Sequence, residues 1–219
     1  MQTAILLYDG VTVLDAIGPY EVLQSVPGME VCFVGRERGE IRSDFKRLGL
    51  FVDYRLDEVP EPDVLLVPGT PFPDSLIGDP AVLEWIGAVH ASTTWTTSVC
   101  TGALALGAAG LLDGKRATTH WLALEALASF GATSTAERVV RDGKIWTAAG
   151  VSAGIDMALT LVAEQFGADA ARAAQLVIEY DPQPPFDAGS PDKAPAPIVA
   201  ALREQFGNLM ENKVERSSS

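Results

Sequence analysis

The sequence is short of the residues that usually build metal and redox sites. It has two cysteines, Cys32 and Cys100, and two histidines in 219 residues. There is no CxxC pair and no clustered His/Cys set, so a free thiol in a reducing compartment is the better interpretation than a disulfide framework. Neither a GxGxxG turn after a strand nor a Walker sequence occurs, which argues against dinucleotide enzymes and P-loop NTPases. We therefore expect no metal and no cofactor.

Basic residues and long apolar runs are also scarce. Sixteen Lys and Arg stand against 29 Asp and Glu, which gives a net charge of -13 and a pI near 4.5. Such a charge repels nucleic acid phosphates, and no local basic patch offsets it. The first residues have neither a basic leader nor an apolar stretch of about 20 residues. We expect a cytoplasmic protein that binds neither nucleic acid nor membrane.

The apolar residues of the chain are mostly aliphatic. The chain is 47% hydrophobic but only 7% aromatic, a balance that suits buried parallel strands and closely packed helices. Strand patterns alternate with helix patterns from Ala4 to Tyr180, which predicts an α/β fold with a doubly wound, mostly parallel sheet. The run DVLLVPG predicts a fully buried strand over Val64 to Val67. The run RDGK predicts a hairpin at Asp142-Gly143. We expect most of the chain to form a single domain with one hydrophobic core.

Three loops follow the carboxyl ends of predicted strands, where sites of parallel sheets lie. They contain Asp15, the Pro68-Gly69-Thr70 run, and Cys100. Cys100 stands between the strand Thr94 to Val99 and a helix of small residues. A sharp turn there would force its thiol outward, with the helix amides favouring the thiolate. The alternative is a structural cysteine, the usual state of free cysteines. Cys32, in the middle of MEVCFVG, is expected to be a core residue.

Asp15 is the candidate proton partner for this thiol. Pro19 predicts a helix that starts there with Gly18 as its cap, which leaves Asp15 in a loop without a capping duty. A carboxylate beside a thiolate is unfavourable unless the two share a proton, and such a proton is what general acid/base catalysis needs. We expect Glu21 to be a first-turn acid without a catalytic role.

The histidines give weaker signals. His120 follows a short predicted strand, ATTH, and could lie near the site, although a lone histidine is more often structural. His90 is expected to be a surface or packing residue.

Several runs together resemble the DJ-1/PfpI superfamily. They are LDAIGP, LLVPG, SVCTGALALGAAGLLDGKRATTHW and AGIDMALTL. The runs ERVVRDG and YDPQPPFDAGSPD resemble most closely the isocyanide hydratase branch. The resemblance implies a flavodoxin-like three-layer sandwich with a cysteine nucleophile elbow, and usually a homodimer. It places a catalytic domain at residues 1–197, followed by a C-terminal helix and polar tail at 198–219.

The resemblance also implies roles for individual residues. Cys100 takes the nucleophile position and Asp15 that of the nearby acid, where many relatives carry glutamate. Thr101 stands where peptidase-like and many deglycase-like members have histidine, and its hydroxyl would position water or the acid. Gly69 and Thr70 fall in the loop whose backbone donors would hold the substrate, although relatives often read PGG there. His120 is a possible accessory residue.

The resemblance implies hydration of a small-molecule isocyanide to an N-substituted formamide, through a thioimidate on Cys100. Glyoxalase-like or deglycase-like carbonyl chemistry is an alternative that Thr101 disfavours. A third possibility is a ligand-sensing protein without catalysis, because similar cores form the sensor domains of AraC-type regulators. Those regulators carry a DNA-binding region after the core, and this sequence has no such pattern.

Overall fold

The computed structural model describes residues 1–217, and side-chain environments up to residue 206. The elements in chain order are β1 (Gln2–Leu6), α1 (Val13–Gln24), β2 (Glu30–Gly35), β3 (Gly39–Arg42), β4 (Gly49–Val52), β5 (Tyr54–Arg55), β6 (Val64–Val67), α2 (Asp74–Ile77), α3 (Pro80–Ser92), β7 (Trp95–Val99), α4 (Gly102–Ala108), β8 (Arg116–Ala117), β9 (Thr133–Ser134), β10 (Val139–Asp142), β11 (Ile145–Ala148), α5 (Ala153–Phe166), α6 (Ala168–Val177) and α7 (Ala196–Ser217).

The central sheet has the predicted mostly parallel topology. Within the described residues its strand order is β10-β11-β7-β6-β1-β2-β5. Every neighbouring pair is parallel except β10 and β11, which form the antiparallel hairpin predicted at Asp142-Gly143. The carboxyl ends of β1, β6 and β7 therefore lie side by side. This arrangement brings together the loops that carry the candidate residues.

The sheet is covered on both faces, as the sequence predicts. In β1, Ala4 and Leu6 pack into the core under α3 and α4, whereas Ile5, and Leu7 just after the strand, pack into the core on the opposite face. Helices α1 and α5 cover that second face, and α6 packs against both of them. Because successive side chains of a strand point to opposite faces, an uninterrupted apolar run fills both cores. The flavodoxin-like three-layer sandwich is confirmed.

One local prediction is wrong. Of the predicted strand ATTH, only Ala117 lies in a strand, β8, which pairs with β9, and the Thr119 hydroxyl binds the Cys100 carbonyl instead. The segment Trp121–Phe130 that follows is a 3₁₀ helix. Elsewhere, β4 pairs with β3 in a separate hairpin, and β5 joins the edge of the central sheet.

Helix α1 begins earlier than Pro19 predicts. It starts at Val13, so that Pro19 lies inside the helix and Asp15 lies in its first turn rather than in a loop. A proline inside a helix removes one backbone hydrogen bond. The first turn is held instead by the neighbouring loop, because the Thr12 N–H donates to the Gly69 carbonyl at 2.8 Å. The hydrogen bond between Thr12 and Gly69, which are distant in sequence, thus stabilises a helix start that the local pattern around Pro19 does not predict.

The chain divides into two compact units, residues 1–180 and 181–219. In the second unit an ion pair joins Lys193 and Asp187 at 2.8 Å before α7 begins. The helix continues to Ser217, and residues 218–219 of the predicted polar tail lie outside the described residues. The predicted boundary at residue 197 stays a prediction. Among the helices described, none combines the length and apolar character needed to cross a bilayer.

Candidate active site

Cys100 occupies a sharp turn between β7 and α4. Its φ is +57°, in the left-handed region that costs a non-glycine residue roughly 1–2 kcal/mol. Hydrogen bonds hold the turn: the Cys100 N–H donates to the carbonyls of Ala148 and Ala149 at 3.0 and 3.1 Å. The Cys100 carbonyl accepts a 2.7 Å bond from the Thr119 hydroxyl. These hydrogen bonds fix the backbone of Cys100 in a left-handed turn at the position where the sequence predicts an elbow.

Glycines allow the neighbouring segments to approach this turn. A Cβ on Gly69 would lie 2.6 Å from the Thr101 nitrogen, and one on Gly102 would lie 2.1 Å from the Val67 carbonyl oxygen. Neither distance is compatible with a side chain. The two glycines thus let the loop after β6 and the start of α4 meet beside the thiol.

Asp15 reaches the same point from the first turn of α1. Its side chain is fully buried, and Cys100 is 5% exposed. Asp15 Oδ2 accepts the Gly69 N–H at 2.9 Å, and the carboxyl lies close enough to the Cys100 thiol for each group to shift the pKa of the other. Oδ1 has no hydrogen-bond partner among the described residues. The structure therefore brings together the thiol and the acid that the sequence pairs.

Burial and proximity keep a proton on this pair. Burial raises the pKa of Asp15 to about 7, against the opposing hydrogen bonds from Gly69 and Cys100. Burial and then the Asp15 charge raise the pKa of the Cys100 thiol well above its ordinary value, although the Thr101 N–H acts in the opposite direction. The expectation that the turn and helix favour thiolate is therefore wrong for the unliganded site. Because two buried negative charges repel, the pair retains at least one proton near neutral pH.

Thr101 binds the loop after β6 rather than open space. Its hydroxyl donates to the Thr70 carbonyl at 2.6 Å and accepts the Thr70 N–H at 2.8 Å. The hydroxyl is also within reach of the Cys100 sulfur, where a hydrogen bond lowers the thiol pKa. The Thr101 hydroxyl has one proton and cannot donate it to the Thr70 carbonyl and the Cys100 sulfur at once. The short bond to the carbonyl oxygen is the stronger of the two as long as the sulfur is protonated. The role of Thr101 in positioning water stays a prediction.

The backbone donors predicted for the substrate are already engaged. The Gly69 N–H binds Asp15, and the Thr70 N–H binds Thr101. These groups position the acid and the loop, a different role from the one the sequence suggests, and any role toward the substrate stays a prediction. The N–H that faces the sulfur is that of Thr101.

The two histidines have different surroundings. The His120 ring packs beside Trp121 and close to Gly150, and burial lowers its pKa. The preceding residue, Thr119, donates a hydrogen bond to the Cys100 carbonyl. His90 Nδ1 pairs with the Thr96 hydroxyl at 2.8 Å, the packing role expected of it. An accessory role for His120 stays a prediction.

Two residues of the site escaped the sequence analysis. Tyr8 follows β1, and its hydroxyl donates to the Pro68 carbonyl at 2.8 Å. Thr119 holds the Cys100 carbonyl from the segment after β8. Tyr8 could have been found by the rule that selected the other loops, since it also stands at the carboxyl end of a parallel strand. Nothing in the sequence marks Thr119.

A second run fits the letters of a nucleophile turn. Residues GVSAG, 150–154, match the GxSxG pattern between β11 and α5. However, Ser152 has φ -75° and ψ -14°, which is ordinary helical backbone, and its side chain is exposed beside Arg138. Ser152 thus lacks the left-handed backbone that Cys100 has, so Ser152 is not an elbow nucleophile. Within the described residues no group of three or more His, Cys, Asp or Glu could hold a metal ion.

Comparison with known proteins identifies relatives over nearly the whole chain. The model of the DJ-1/PfpI family matches residues 1–164. The isonitrile hydratase of Pseudomonas putida is 43% identical over 215 residues, 98% of this chain and 94% of that protein. The HTH-type transcriptional regulator CdhR of Pseudomonas aeruginosa is 37% identical over 90 residues, 40% of this chain and 27% of the regulator.

A solved structure agrees with the fold. The crystal structure of a ThiJ/PfpI family protein from Pseudomonas syringae superposes with a TM-score of 0.92 at 40% identity, covering 94% of this chain and 86% of that one. Family model, relative and structure coincide, and the chain belongs to the DJ-1/PfpI family.

Proposed function

We propose that this protein is an isocyanide hydratase that adds water to an isocyanide to give an N-substituted formamide, without a metal or organic cofactor. Isonitrile and isocyanide name the same chemical group. The observation that carries the proposal is the buried contact between the Cys100 thiol and the Asp15 carboxyl. The 43% identity to an isonitrile hydratase over 98% of the chain supports it.

The chemistry of an isocyanide fits a pair that shares one proton. The terminal carbon of R-NC accepts a nucleophile, and the same carbon must gain a proton. A thiolate and a carboxylic acid at one point therefore supply both needs. Transfer of the shared proton from sulfur to Asp15 creates this reactive form with no change in net charge. The low exposure of both groups keeps bulk water from competing.

In the first half-reaction the Cys100 sulfur bonds to the isocyanide carbon, and Asp15 delivers its proton to that carbon. The product is a thioimidate, R-N=CH-S, and Asp15 is left as the carboxylate. The Thr101 N–H, which faces the sulfur, stabilises negative charge there before the attack. The Gly69 N–H stabilises the carboxylate that the transfer leaves behind.

In the second half-reaction water adds across the C=N bond. Asp15 takes a proton from the water as its oxygen bonds to carbon, and passes that proton to the nitrogen. The adduct then collapses: the C–S bond breaks, the hydroxyl proton returns to Asp15, and the formamide R-NH-CHO leaves. Atoms and charge balance, and the pair regains its single shared proton.

The two other possibilities are less well supported. Carbonyl chemistry of the glyoxalase or deglycase type is disfavoured by Thr101 beside the thiol, where the resemblance implies histidine in those members. A sensing role is disfavoured because the match to a transcriptional regulator extends over 40% of this chain, against 98% for the hydratase.

Turnover is the test. Purified protein is mixed with an alkyl and an aryl isocyanide, and formamide formation is followed by NMR, with Cys32→Ala as a matched control for loss of a thiol. We expect both substrates to yield formamide and the control to retain its rate. Failure of the protein to convert either substrate would exclude the proposal.

We also propose that the protein is a cytoplasmic homodimer with a small-molecule isocyanide as its partner. Membership of the DJ-1/PfpI family supports the dimer, and the paucity of cysteine supports a reducing compartment. Sedimentation analysis at micromolar concentration should give twice the chain mass of 23.2 kDa. A monomer would contradict the assembly but not the activity.

A further inference from the structure

The peptide group between Pro68 and Gly69 is held at both ends by side chains of the site. Its carbonyl accepts the Tyr8 hydroxyl at 2.8 Å, and its N–H donates to Asp15 Oδ2 at 2.9 Å. The described backbone has no cis peptide bonds, so these groups point in opposite directions across one planar unit. The three residues therefore form a continuous hydrogen-bonded chain from phenol to carboxyl.

We propose that Tyr8 is a positioning residue for this site: by binding the Pro68 carbonyl, its hydroxyl fixes and polarises the peptide whose N–H holds Asp15. The Gly69 carbonyl accepts the Thr12 N–H, and Thr70 is paired with Thr101. The loop thus has other attachments, but the bond from Tyr8 alone acts on the peptide that touches the acid.

The phenol is suited to act as a permanent donor. Burial, followed by the charges of Asp15, Cys100 and Asp44, raises its pKa well above the ordinary value. It therefore stays protonated throughout the working pH range. Hydrogen bonds in series strengthen one another in a low-dielectric interior. A donor on the carbonyl accordingly makes the Gly69 N–H a better donor to a carboxylate.

The direction of the effect follows from this chain. The Gly69 N–H stabilises the ionised form of Asp15, so weakening it must raise the pKa of the carboxyl further. The ionisable groups that act on Asp15 are Cys100 after β7, Tyr8 after β1, and Asp44 from the loop between β3 and β4. All are acids. Burial and the charge of Asp44 raise the pKa of Asp15, and the Gly69 N–H is the larger of the two interactions, with Gly69 and with Cys100, that lower it.

The ring of Tyr8 has a packing role that is separate from the role of its hydroxyl. It lines a cavity of about 340 Å³ together with Ile41, Val52, Leu76 and Val82. Tyr8→Phe keeps this wall and removes only the hydroxyl. Tyr20→Phe is the matched control, because it also removes one tyrosine hydroxyl, and Tyr20, whose ring packs against Phe33 at 5.2 Å, is not among the groups that shift the pKa of Asp15.

The test is the pH dependence of Cys100 alkylation by iodoacetamide, with the Asp15 carboxyl followed by carbon NMR of protein labelled in aspartate. We expect Tyr8→Phe to move the Asp15 titration upward by up to roughly half a pH unit, from the loss of cooperative polarisation. Tyr20→Phe should leave it in place. A wild-type titration in folded Tyr8→Phe would overturn the proposal.

A second variant keeps the test decisive if Tyr8→Phe does not fold. 3-Fluorotyrosine at position 8 is a stronger donor of nearly the same shape, so the titration should move downward. If the Asp15 titration moved upward or did not move, the positioning role of Tyr8 would again be overturned. The effect on turnover rests on the proposed function, but both titrations are read without an isocyanide. Failure of hydration therefore stays distinguishable from failure of the Tyr8 role.

Discussion

One cysteine of this chain, Cys32, lies within β2 and the other, Cys100, directly follows β7, and they are almost equally buried, at 9% and 5% exposure. In both, burial is the largest cause of a raised pKa, to about 11 for Cys32. Burial therefore does not distinguish them. What differs is the backbone and the neighbour: Cys100 is in a left-handed turn against a buried carboxyl, whereas Cys32 is mid-strand and its charged neighbour Asp53 is exposed.

The contrast shows that the reactivity of a buried thiol in this protein depends on a neighbouring group that can accept its proton. A buried thiol alone is inert because its anion is poorly solvated. Beside Asp15, whose own pKa is about 7, the thiol can lose its proton without a gain of net charge. The following predictions test this difference, from the largest effect to the smallest.

The largest effect should come from removing the nucleophile. Cys100→Ala should lower formamide formation by at least about 1,000-fold, since no other group can form the thioimidate. Cys32→Ala should retain the wild-type rate. Steady-state kinetics of both variants with one isocyanide measure the ratio, and similar rates for the two would remove the distinction drawn between the cysteines.

Loss of the proton carrier should have the next largest effect. Asp15→Asn keeps the side-chain size but cannot hold or deliver a proton, so kcat should fall by roughly 100-fold or more. Asp53→Asn removes the carboxyl near Cys32 and is the matched control. Far-UV circular dichroism checks that both variants are folded. Full activity in Asp15→Asn would show that the proton comes from elsewhere.

The raised pKa of Asp15 predicts a pH-dependent stability. An acid with a folded-state pKa near 7 and an unfolded value near 3.8 binds more protons when folded, so its contribution to stability is lost as pH rises between these values. Asp15→Asn has no carboxyl at this position and therefore does not lose stability in this way. The unfolding free energy of the variant minus that of the wild type should rise by up to roughly 4 kcal/mol between pH 4 and pH 7.

Urea denaturation of both proteins across that pH range gives the difference directly. A difference that is constant with pH would mean that Asp15 has an ordinary pKa in the folded protein. Asp53→Asn again serves as the control, and its difference from the wild type should not follow the same curve.

The smallest of these effects concerns the turn itself. Thr119→Val removes the hydroxyl that binds the Cys100 carbonyl and leaves this buried acceptor with the longer 3.4 Å bond from the Ala103 N–H, at a cost of about 1 kcal/mol in unfolding free energy. Alkylation of Cys100 should change as well, because the turn is less well held. Thr160→Val also removes a hydroxyl bonded to a backbone carbonyl, but at an exposed site. Equal losses in both variants would mean that Thr119 does not act on the elbow.

Much of the fold follows from the sequence because its signals are local and agree with one another. The fully apolar run of β6 and the Asp142-Gly143 hairpin are examples. The start of α1 could not be predicted, since Pro19 gives a strong local signal that a bond between Thr12 and Gly69 overrides. Contacts between residues distant in sequence leave no trace in a local pattern.

The candidate site divides in the same way. Cys100 and Asp15 could be selected because both stand at the active end of parallel strands and the resemblance names both positions. The engagement of the Gly69 and Thr70 N–H groups could not, because it depends on how closely two loops approach. Tyr8 and Thr119 act through backbone carbonyls, a role that any residue with a hydroxyl could fill.

The central claim is that Cys100 bonds to the isocyanide carbon while Asp15 supplies the proton. Acid-quenched mass spectrometry of the protein during turnover tests it most directly. The account predicts a mass increase equal to one isocyanide on the peptide that contains Cys100, with none on the peptide that contains Cys32. Steady formamide production with Cys100 unmodified at every time point, and undiminished in Cys100→Ala, would contradict it.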